Sequence, residues 1–358
     1  MTQFDNSRQA KRKQDKYRSL SVTEWPEADR KAWEGARRPG VRLRPGGSAS
    51  HFAEASLKDF TTRYGAYLGF LQRSGKLNLI AAATAQVTRS NVKAYVAELK
   101  GRVSSVTVWN CVYKLRRASQ LLNPEIDFAW LAEIERKAAL VMVPRSKFDR
   151  LVLIHIIVQA GLTLIGEAEK NAKSNFERAT GIRNGLIIVI LGLSQIRLKN
   201  FVALEIGNTF KEVNGSWWIS VPGANTKNRR WVEKRIGNDF NRVIKLYLNH
   251  ARPFLMRSAA NDNSLWISSR TGRRFTYKNL GTLISKITFQ TLGVDVSPHL
   301  FRTAAASTAA MKIPQFPHLA SALLGHTDPR VTDDHYKRTT SFIAGKVYAD
   351  LVQEYLSS

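Results

Sequence analysis

Apolar residues recur at intervals of three and four through residues 51–140, and this period is typical of amphipathic helices. A threonine opens the second of four such segments, and an Asn-Pro pair ends the third. Four short helices with charged outer faces predict a small all-α domain. The predicted helices occupy residues 57–71, 88–99, 105–122 and 126–140.

A different pattern begins after a short interruption at 141–147, which contains a proline and predicts a linker. Two apolar helical segments come first, followed by two strands of β-forming residues joined by a polar turn. The second domain, 148–342, is therefore predicted to be mainly α with a small β-hairpin, an α+β fold. Its first predicted elements are helices at 151–164 and 182–193 and strands at 217–221 and 231–236.

Both ends of the chain differ from these domains. Residues 1–50 are polar and rich in arginine, lysine, proline and glycine, so they predict a flexible basic arm or linker. Trp25 and Trp33 indicate a short docked helix within it. An apolar stripe along 343–358 predicts a tail helix.

The charge balance indicates a polyanionic partner. Lysine and arginine number 55 against 28 aspartates and glutamates, which gives a formal net charge of +27 over 358 residues. A surplus of this size favours nucleic acid as the partner, and a ribosomal-type or merely basic protein is the alternative.

Cysteine content and hydropathy narrow the class of protein further. The single Cys111 excludes an internal disulfide and a cysteine-based zinc module. The N-terminus has no apolar signal segment, and the longest apolar run, 185–193, is too short to cross a bilayer. We therefore expect a cytoplasmic, nucleoid-associated protein with no membrane partner.

Two basic residues in the second domain are candidates for anion binding. Arg197 follows an apolar helix, where a guanidinium needs an anionic partner, either an ion pair such as Glu205 or a bound phosphate. Lys227 lies at the predicted hairpin turn, where it could donate a proton to a leaving oxygen. Lys234 in the returning strand is the competing candidate, and a solvated turn lysine is the alternative.

A second group of candidates lies near the end of the chain. His299 and Arg302 are three residues apart at a helix start that Ser297 caps, so both project the same way. A solvated first turn would explain this pair equally well. His326 follows a helix end, and Tyr336 comes ten residues later. Arginine, histidine and tyrosine without clustered carboxylates suit phosphodiester chemistry that uses no metal.

Taken in chain order, these motifs resemble the tyrosine recombinase (phage integrase) family. The resemblance covers about 148–345, and the helical domain before it resembles the family's SAM-like core-binding domain. It implies a C-shaped clamp on double-stranded DNA and a homo-tetramer on two synapsed recombination sites. The motif residues are Arg197, Lys227, His299, Arg302, His326 in Leu-Leu-Gly-His, and Tyr336.

The family's chemistry transfers to these positions residue by residue. The two arginines would clamp the scissile phosphate, and Tyr336 would attack it to form a 3′-phosphotyrosyl intermediate. Lys227 would protonate the leaving 5′ oxygen, His299 would act as the acid/base partner, and His326 would hydrogen-bond the phosphate. No cofactor is implied, since the arginines neutralise charge and the covalent bond conserves energy without ATP. The tail helix would pack on its own domain or on a neighbouring protomer.

Three departures from the family pattern stand out. Asn200 occupies a position that is usually acidic, and Thr303 replaces a frequent histidine. The gap from His326 to Tyr336 is one residue longer than in many members. Tyr336 is nevertheless the only tyrosine between Tyr277 and Tyr348.

The expected function is recombination that integrates or excises a mobile element. Other functions remain open. They are a type IB topoisomerase-like enzyme, a non-catalytic DNA-binding relative and, more distantly, a metal-dependent nuclease. Beyond the catalytic set, exposed cations on the third helix, the arm and the hairpin turn are predicted to contact DNA. These residues are Lys114, Arg116, Arg117, Arg42, Arg44, Arg229 and Arg230.

Overall fold

The computed structural model describes residues 17–43, 45–144, 148–226, 229–257, 262–312 and 352–355. The chain divides into two units, Met1–Ser146 and Lys147–Ser358, and this division falls inside the predicted linker. The described residues are mainly helical with one small antiparallel sheet, so the predicted fold class is confirmed.

Polar caps set where helices of the first unit begin. Thr88 accepts a hydrogen bond from the Asn91 N–H at 3.2 Å, and Ser104 accepts one from the Thr107 N–H at 3.4 Å. Such caps satisfy N–H groups that a helix start leaves without partners. The helices of this unit are α1 (Glu27–Arg37), α2 (Glu54–Arg73), α3 (Arg89–Lys100), α4 (Ser105–Leu122) and α5 (Ala129–Leu140).

Aromatic side chains fill the core of the first unit. Trp25 meets Tyr64 edge to face with ring centroids 5.0 Å apart, and Tyr67 meets Tyr95 in the same way at 5.4 Å. Trp33 is also buried in this cluster. Edge-to-face pairs add stabilisation beyond the area that they bury. The Trp25–Tyr64 pair joins the turn before α1 to α2, and the Tyr67–Tyr95 pair joins α2 to α3.

The predicted flexible arm is wrong for much of its length. Leu20, Trp25, Trp33 and Ala49 all belong to the first core, and the Ala49 N–H donates to the Ala36 carbonyl at 2.8 Å. The docked helix that the two tryptophans indicated is α1. Segment 1–16 and Arg44 lie outside the described residues. The sequence misleads because these apolar residues are too widely spaced to show a period, yet tertiary packing buries them.

A buried apolar helix runs through the core of the second unit. In α7 (Asn175–Ser194), Leu186 to Leu191 are each at most 1% exposed. α7 crosses α6 (Ile154–Asn171) where Gly185 meets Gly161. A Cβ on Gly185 would lie 2.4 Å from the Gly161 carbonyl oxygen, so only glycine allows this close approach.

The sheet has one more strand than the sequence predicts. β1 (Phe210–Val213), β2 (Ser216–Val221) and β3 (Val232–Ile236) are antiparallel in the order β1-β2-β3. β1 buries only its first residue, so it carries no alternating signal. Trp231, predicted to open the returning strand, precedes β3 and is 65% exposed.

The remaining elements of the second unit are short except for two long helices near its end. No helix among the described residues is long and apolar enough to cross a membrane. Residues 352–355, within the predicted tail, are helical and exposed. The elements are α8 (Leu198–Val202), α9 (Asn241–Leu246), the π-turn Tyr247–Ala251, α10 (Arg252–Met256), α11 (Tyr277–Leu292) and α12 (Pro298–Lys312).

Candidate phosphate-binding site

Arg197 stands at a sharp turn between the buried helix α7 and the short helix α8. Gln195 caps the C-terminal end of α7 and adopts a left-handed conformation with φ 48°. The chain then reverses, and the Arg197 carbonyl accepts hydrogen bonds from the N–H groups of Asn200 at 2.9 Å and Phe201 at 3.0 Å. Because Phe201 is fully buried, this turn holds the half-buried Arg197 in a set position.

Arg302 reaches the same turn from α12. The helix starts at Pro298, with the Leu300 N–H donating to the Ser297 carbonyl at 2.8 Å. Arg302 is 8% exposed, and its Nη1 donates to the main-chain carbonyl oxygen of Gln195. Arg302 therefore binds the turn that presents Arg197.

The two guanidinium groups lie close enough to repel each other. Burial lowers the pKa of Arg302 to about 10, and the positive charge of Arg197 contributes to the same shift. Arg302 still carries its charge at neutral pH. Two neighbouring cations, one of them buried, disfavour the empty site and favour a bound anion.

Lys234 is a third cation at this site. It lies on β3 directly opposite Ile219 of β2, and it is half-buried. Burial lowers the pKa of Lys234, and the nearby charge of Arg302 lowers it further. The site residues that sequence reasoning placed second or missed are thus Lys234 and Gln195. For Gln195 the available signal was its place at the helix end before Arg197.

The other predicted catalytic residues are placed only in part. His299 is exposed on the first turn of α12, three residues before Arg302. Lys227, His326 and Tyr336 lie outside the described residues. The structure thus brings together Arg197, Arg302 and Lys234, and it sets His299 on the same helix as Arg302.

The alternative of an ion pair between Arg197 and Glu205 is wrong. Glu205 instead pairs with Arg274, whose Nη2 lies 2.5 Å from Glu205 Oε1. The hydrogen bond from Arg274 lowers the pKa of Glu205. Within the described ranges, no carboxylate lies within ion-pair distance of Arg197.

Arg183 shows that burial alone does not mark a binding site. It is 3% exposed, and burial lowers its pKa to about 10, as for Arg302. Its Nη1 donates to the Ile267 carbonyl at 3.1 Å, and its Nη2 donates to Asn184 Oδ1 at 2.7 Å. The guanidinium also lies 5.2 Å from the Phe275 ring centroid. Arg183 is therefore a structural residue.

The predicted DNA contacts on α4 have partners within the first unit. Lys114 Nζ lies 3.0 Å from Asp59 Oδ2, and Arg116 Nε lies 2.6 Å from Glu135 Oε2. Arg117 donates to the Gln120 side chain at 3.0 Å. These pairs give the residues an intramolecular role, and their DNA contacts stay predictions.

The hairpin and arm cations are more accessible. Arg229 and Arg230 are both exposed, and Arg229 adopts a left-handed conformation with φ 54°. The Thr226 hydroxyl lies 2.8 Å from the Arg230 carbonyl oxygen and braces the turn. Arg42 is also exposed. In the described portion of the chain, no three histidine, cysteine or acidic side chains gather as metal ligands.

Comparison with known proteins gives only distant structural likenesses. No protein-family model matches the sequence, and no curated protein matches it. The fold is similar to the crystal structure of XerA recombinase, at 14% identity and a TM-score of 0.37, over 84% of this chain and 94% of that one.

Two further structures are XerH site-specific recombinase bound to DNA substrates. The post-cleavage complex with palindromic difH has 16% identity and a TM-score of 0.43, over 87% of this chain and 98% of that chain. The pre-cleavage complex with difH has 12% identity and a TM-score of 0.43, over 92% of this chain and 99% of that chain.

Proposed function

We propose that this protein is a tyrosine recombinase that cuts and rejoins double-stranded DNA at specific sites. One observation carries the proposal: Arg197 and Arg302, far apart in sequence, meet at the Gln195 turn with like charges close together. Two guanidinium groups near enough for their charges to interact can bind the non-bridging oxygens of a phosphodiester.

The arginines stabilise the transition state by charge. When a nucleophile attacks phosphorus, negative charge grows on the non-bridging oxygens. Preorganised donors in a partly buried site stabilise this charge without reorganising. Arg302 is preorganised because its guanidinium is already bound to Gln195. These cations supply the neutralising charge, so we propose a reaction that needs neither a metal nor ATP.

Tyr336 is the proposed nucleophile. Its phenolic oxygen gives its proton to the acid/base partner His299 and forms a bond to phosphorus, while the bond to the 5′ oxygen breaks, leaving a 3′-phosphotyrosyl enzyme. Lys227 gives a proton to the leaving 5′ oxygen. A second 5′-hydroxyl reverses these steps and rejoins the strand. The phosphodiester energy is kept in the covalent bond throughout.

The two histidines complete the proposed set. His299 lies one helical turn before Arg302, so both side chains point to the same side of α12. That placement suits an acid/base partner to the phosphate or the tyrosine. His326 is proposed to hydrogen-bond the phosphate. Both roles come from the resemblance of the motifs to the family.

Assembly and biological role follow the same proposal. The protein would act as a homo-tetramer on paired sites and integrate or excise a mobile element in the cytoplasm. The tail around the exposed helical residues 352–355 is the proposed link between protomers.

A nicked suicide substrate tests the chemistry directly. Wild-type protein should form a covalent DNA adduct that survives denaturation and persists in chelator, and Tyr336→Phe should abolish it. Tyr277→Phe, which changes an exposed tyrosine on α11, is the matched control and should leave the adduct intact. Absence of an adduct with the wild-type protein would refute the proposal and favour a non-catalytic DNA-binding protein.

A second assay separates recombination from topoisomerase activity. A recombinase should exchange strands between two DNA molecules that carry the target site. A type IB topoisomerase would relax one supercoiled plasmid and yield no exchanged product. Both enzymes form the same covalent intermediate, so they differ only in whether the cut strand is rejoined to another DNA molecule or to its own.

A further inference from the structure

Lys234 breaks the pattern of the strand in which it lies. Residues Val232, Lys234 and Ile236 of β3 share one face, because side chains alternate along a strand. Ile236 is fully buried and Val232 packs against the core. The middle position of this face therefore predicts an apolar residue, and the chain has a lysine there instead.

The neighbours of Lys234 on β2 confirm that this face is buried. β3 pairs with β2 so that Val232, Lys234 and Ile236 lie opposite Val221, Ile219 and Trp217. These three β2 residues are at most 6% exposed. A lysine buried among such residues costs free energy unless its ammonium group is hydrogen-bonded or paired with an anion. Positions where a residue contradicts its local environment are frequently functional.

The buried face of β3 leads to the arginine site. β3 packs on α7, the helix whose last turn presents the Gln195 carbonyl to Arg302. Arg302 lies close enough to Lys234 for their charges to interact. Lys234 therefore approaches the phosphate site from the sheet, while Arg302 approaches it from α12.

We propose that Lys234 is a further catalytic residue whose ammonium group binds a non-bridging oxygen of the scissile phosphate beside Arg302. This inference rests on the proposed function and deepens its site. Lys227, at the turn, remains the proton donor to the leaving oxygen. Lys234 keeps its proton and supplies a third positive charge to the transition state.

Substitution of Lys234 separates this role from a structural one. Lys234→Met keeps the length and apolar stem of the side chain, and it should lower the rate of adduct formation by about 100-fold at saturating DNA. Lys234→Arg keeps the charge and should stay within about 10-fold of wild type. Arg235→Met changes the adjacent exposed cation on the opposite face and should leave the rate unchanged.

Thermal unfolding provides the readout that a structural lysine would move. Since methionine keeps the apolar stem that packs on this face of the sheet, Lys234→Met should unfold at about the wild-type temperature. Unfolding at a clearly lower temperature, with a parallel loss in Lys234→Arg, would overturn the proposal. Wild-type rates of adduct formation in Lys234→Met would overturn it as well.

A substrate with sulfur in place of the leaving 5′ oxygen distinguishes a phosphate ligand from a proton donor. A thiolate leaves without a proton, so this substrate should restore cleavage by Lys227→Ala but not by Lys234→Met. Rescue of Lys234→Met would show that Lys234 is the acid and overturn the assigned role. If the wild-type protein forms no adduct on either substrate, the proposed function fails rather than this inference.

Discussion

The guanidinium of Arg302 binds the main-chain carbonyl of Gln195, two residues before Arg197. This bond makes the position of one arginine depend on the turn that carries the other. A variant of this protein can therefore fold normally and still fail to form the candidate phosphate site. Measuring stability and cleavage side by side separates residues that build the fold from residues that act on DNA.

Arg302 and Arg183 form a matched pair of buried arginines. Arg302→Lys should lower adduct formation by at least about 100-fold, because a lysine cannot bind both Gln195 and two phosphate oxygens. Arg183→Lys should lower the free energy of unfolding by about 1–3 kcal/mol, since the Ile267 carbonyl and the Asn184 side chain lose donors. Denaturant unfolding and the suicide substrate measure the two effects. If both variants lost cleavage per folded molecule equally, Arg302 could not be a site residue and Arg183 a purely structural one.

The hairpin arginines should affect binding through charge. Replacing both Arg229 and Arg230 with alanine should reduce the slope of log affinity against log salt by about 0.9 for each phosphate that the variant no longer neutralises. Arg73→Ala should leave that slope unchanged and lower stability instead, because it removes the ion pair with Glu98. Titrations of labelled DNA at several salt concentrations measure the slopes. An equal reduction of the slope in Arg73→Ala would show that the hairpin arginines have no specific part in binding.

Asp29 should make the stability of the first unit depend on pH. Its Oδ1 accepts hydrogen bonds from the Thr84 N–H at 2.8 Å and the Tyr64 hydroxyl at 3.0 Å. Burial raises its pKa above the ordinary value of 3.8, against the effect of these two bonds. The folded state therefore holds this proton more tightly, and the resulting stability is full below pH 3.8 and is lost as pH rises through the folded-state pKa.

The variant Asp29→Asn isolates this contribution. Its amide oxygen can accept the same two hydrogen bonds, but it does not titrate. The free energy of unfolding of wild type relative to Asp29→Asn should rise as pH falls from 7 towards about 4. Acidic groups common to both proteins cancel in the difference. Denaturant titrations at each pH provide the measurement, and parallel stability profiles would show that the carboxyl group is not perturbed.

The glycine crossing of α6 and α7 should not tolerate a methyl group. Gly185→Ala should lower the free energy of unfolding by about 1–3 kcal/mol, because its Cβ would press on the Gly161 carbonyl. Gly166, also on α6, has nothing within 4 Å of an added Cβ. Gly166→Ala should therefore stabilise the helix by up to about 1 kcal/mol. Thermal unfolding of the two variants tests this contrast, and similar shifts would mean that the helices do not meet at this point.

Local signals in the sequence predicted most of the helices. The cap at Thr88 lies where the sequence placed it, because a side-chain oxygen just before an apolar helical period satisfies N–H groups of the helix start. The alanine-rich segment after Arg302 is mostly buried, as its small apolar residues favour. By contrast, β1 was missed because only Phe210 is buried in it. The arm was misjudged because its tryptophans are buried by α2, which lies further along the chain.

The sequence by itself determined the order and types of the candidate site residues, because side-chain chemistry and helix starts are local properties. The His299-x-x-Arg302 motif singled out Arg302 by resemblance, but no local signal showed how its surroundings differ from those of Arg183, since both lie in apolar helices. Their distant partners separate them: one binds the turn before Arg197, and the other is satisfied by carbonyl groups. Likewise, only strand pairing placed Lys234 on the buried face beside Arg302. Burial and charge proximity arise between segments far apart in the chain, so only the tertiary structure showed that Lys234 lies near Arg302 and that Arg183 is held by other partners.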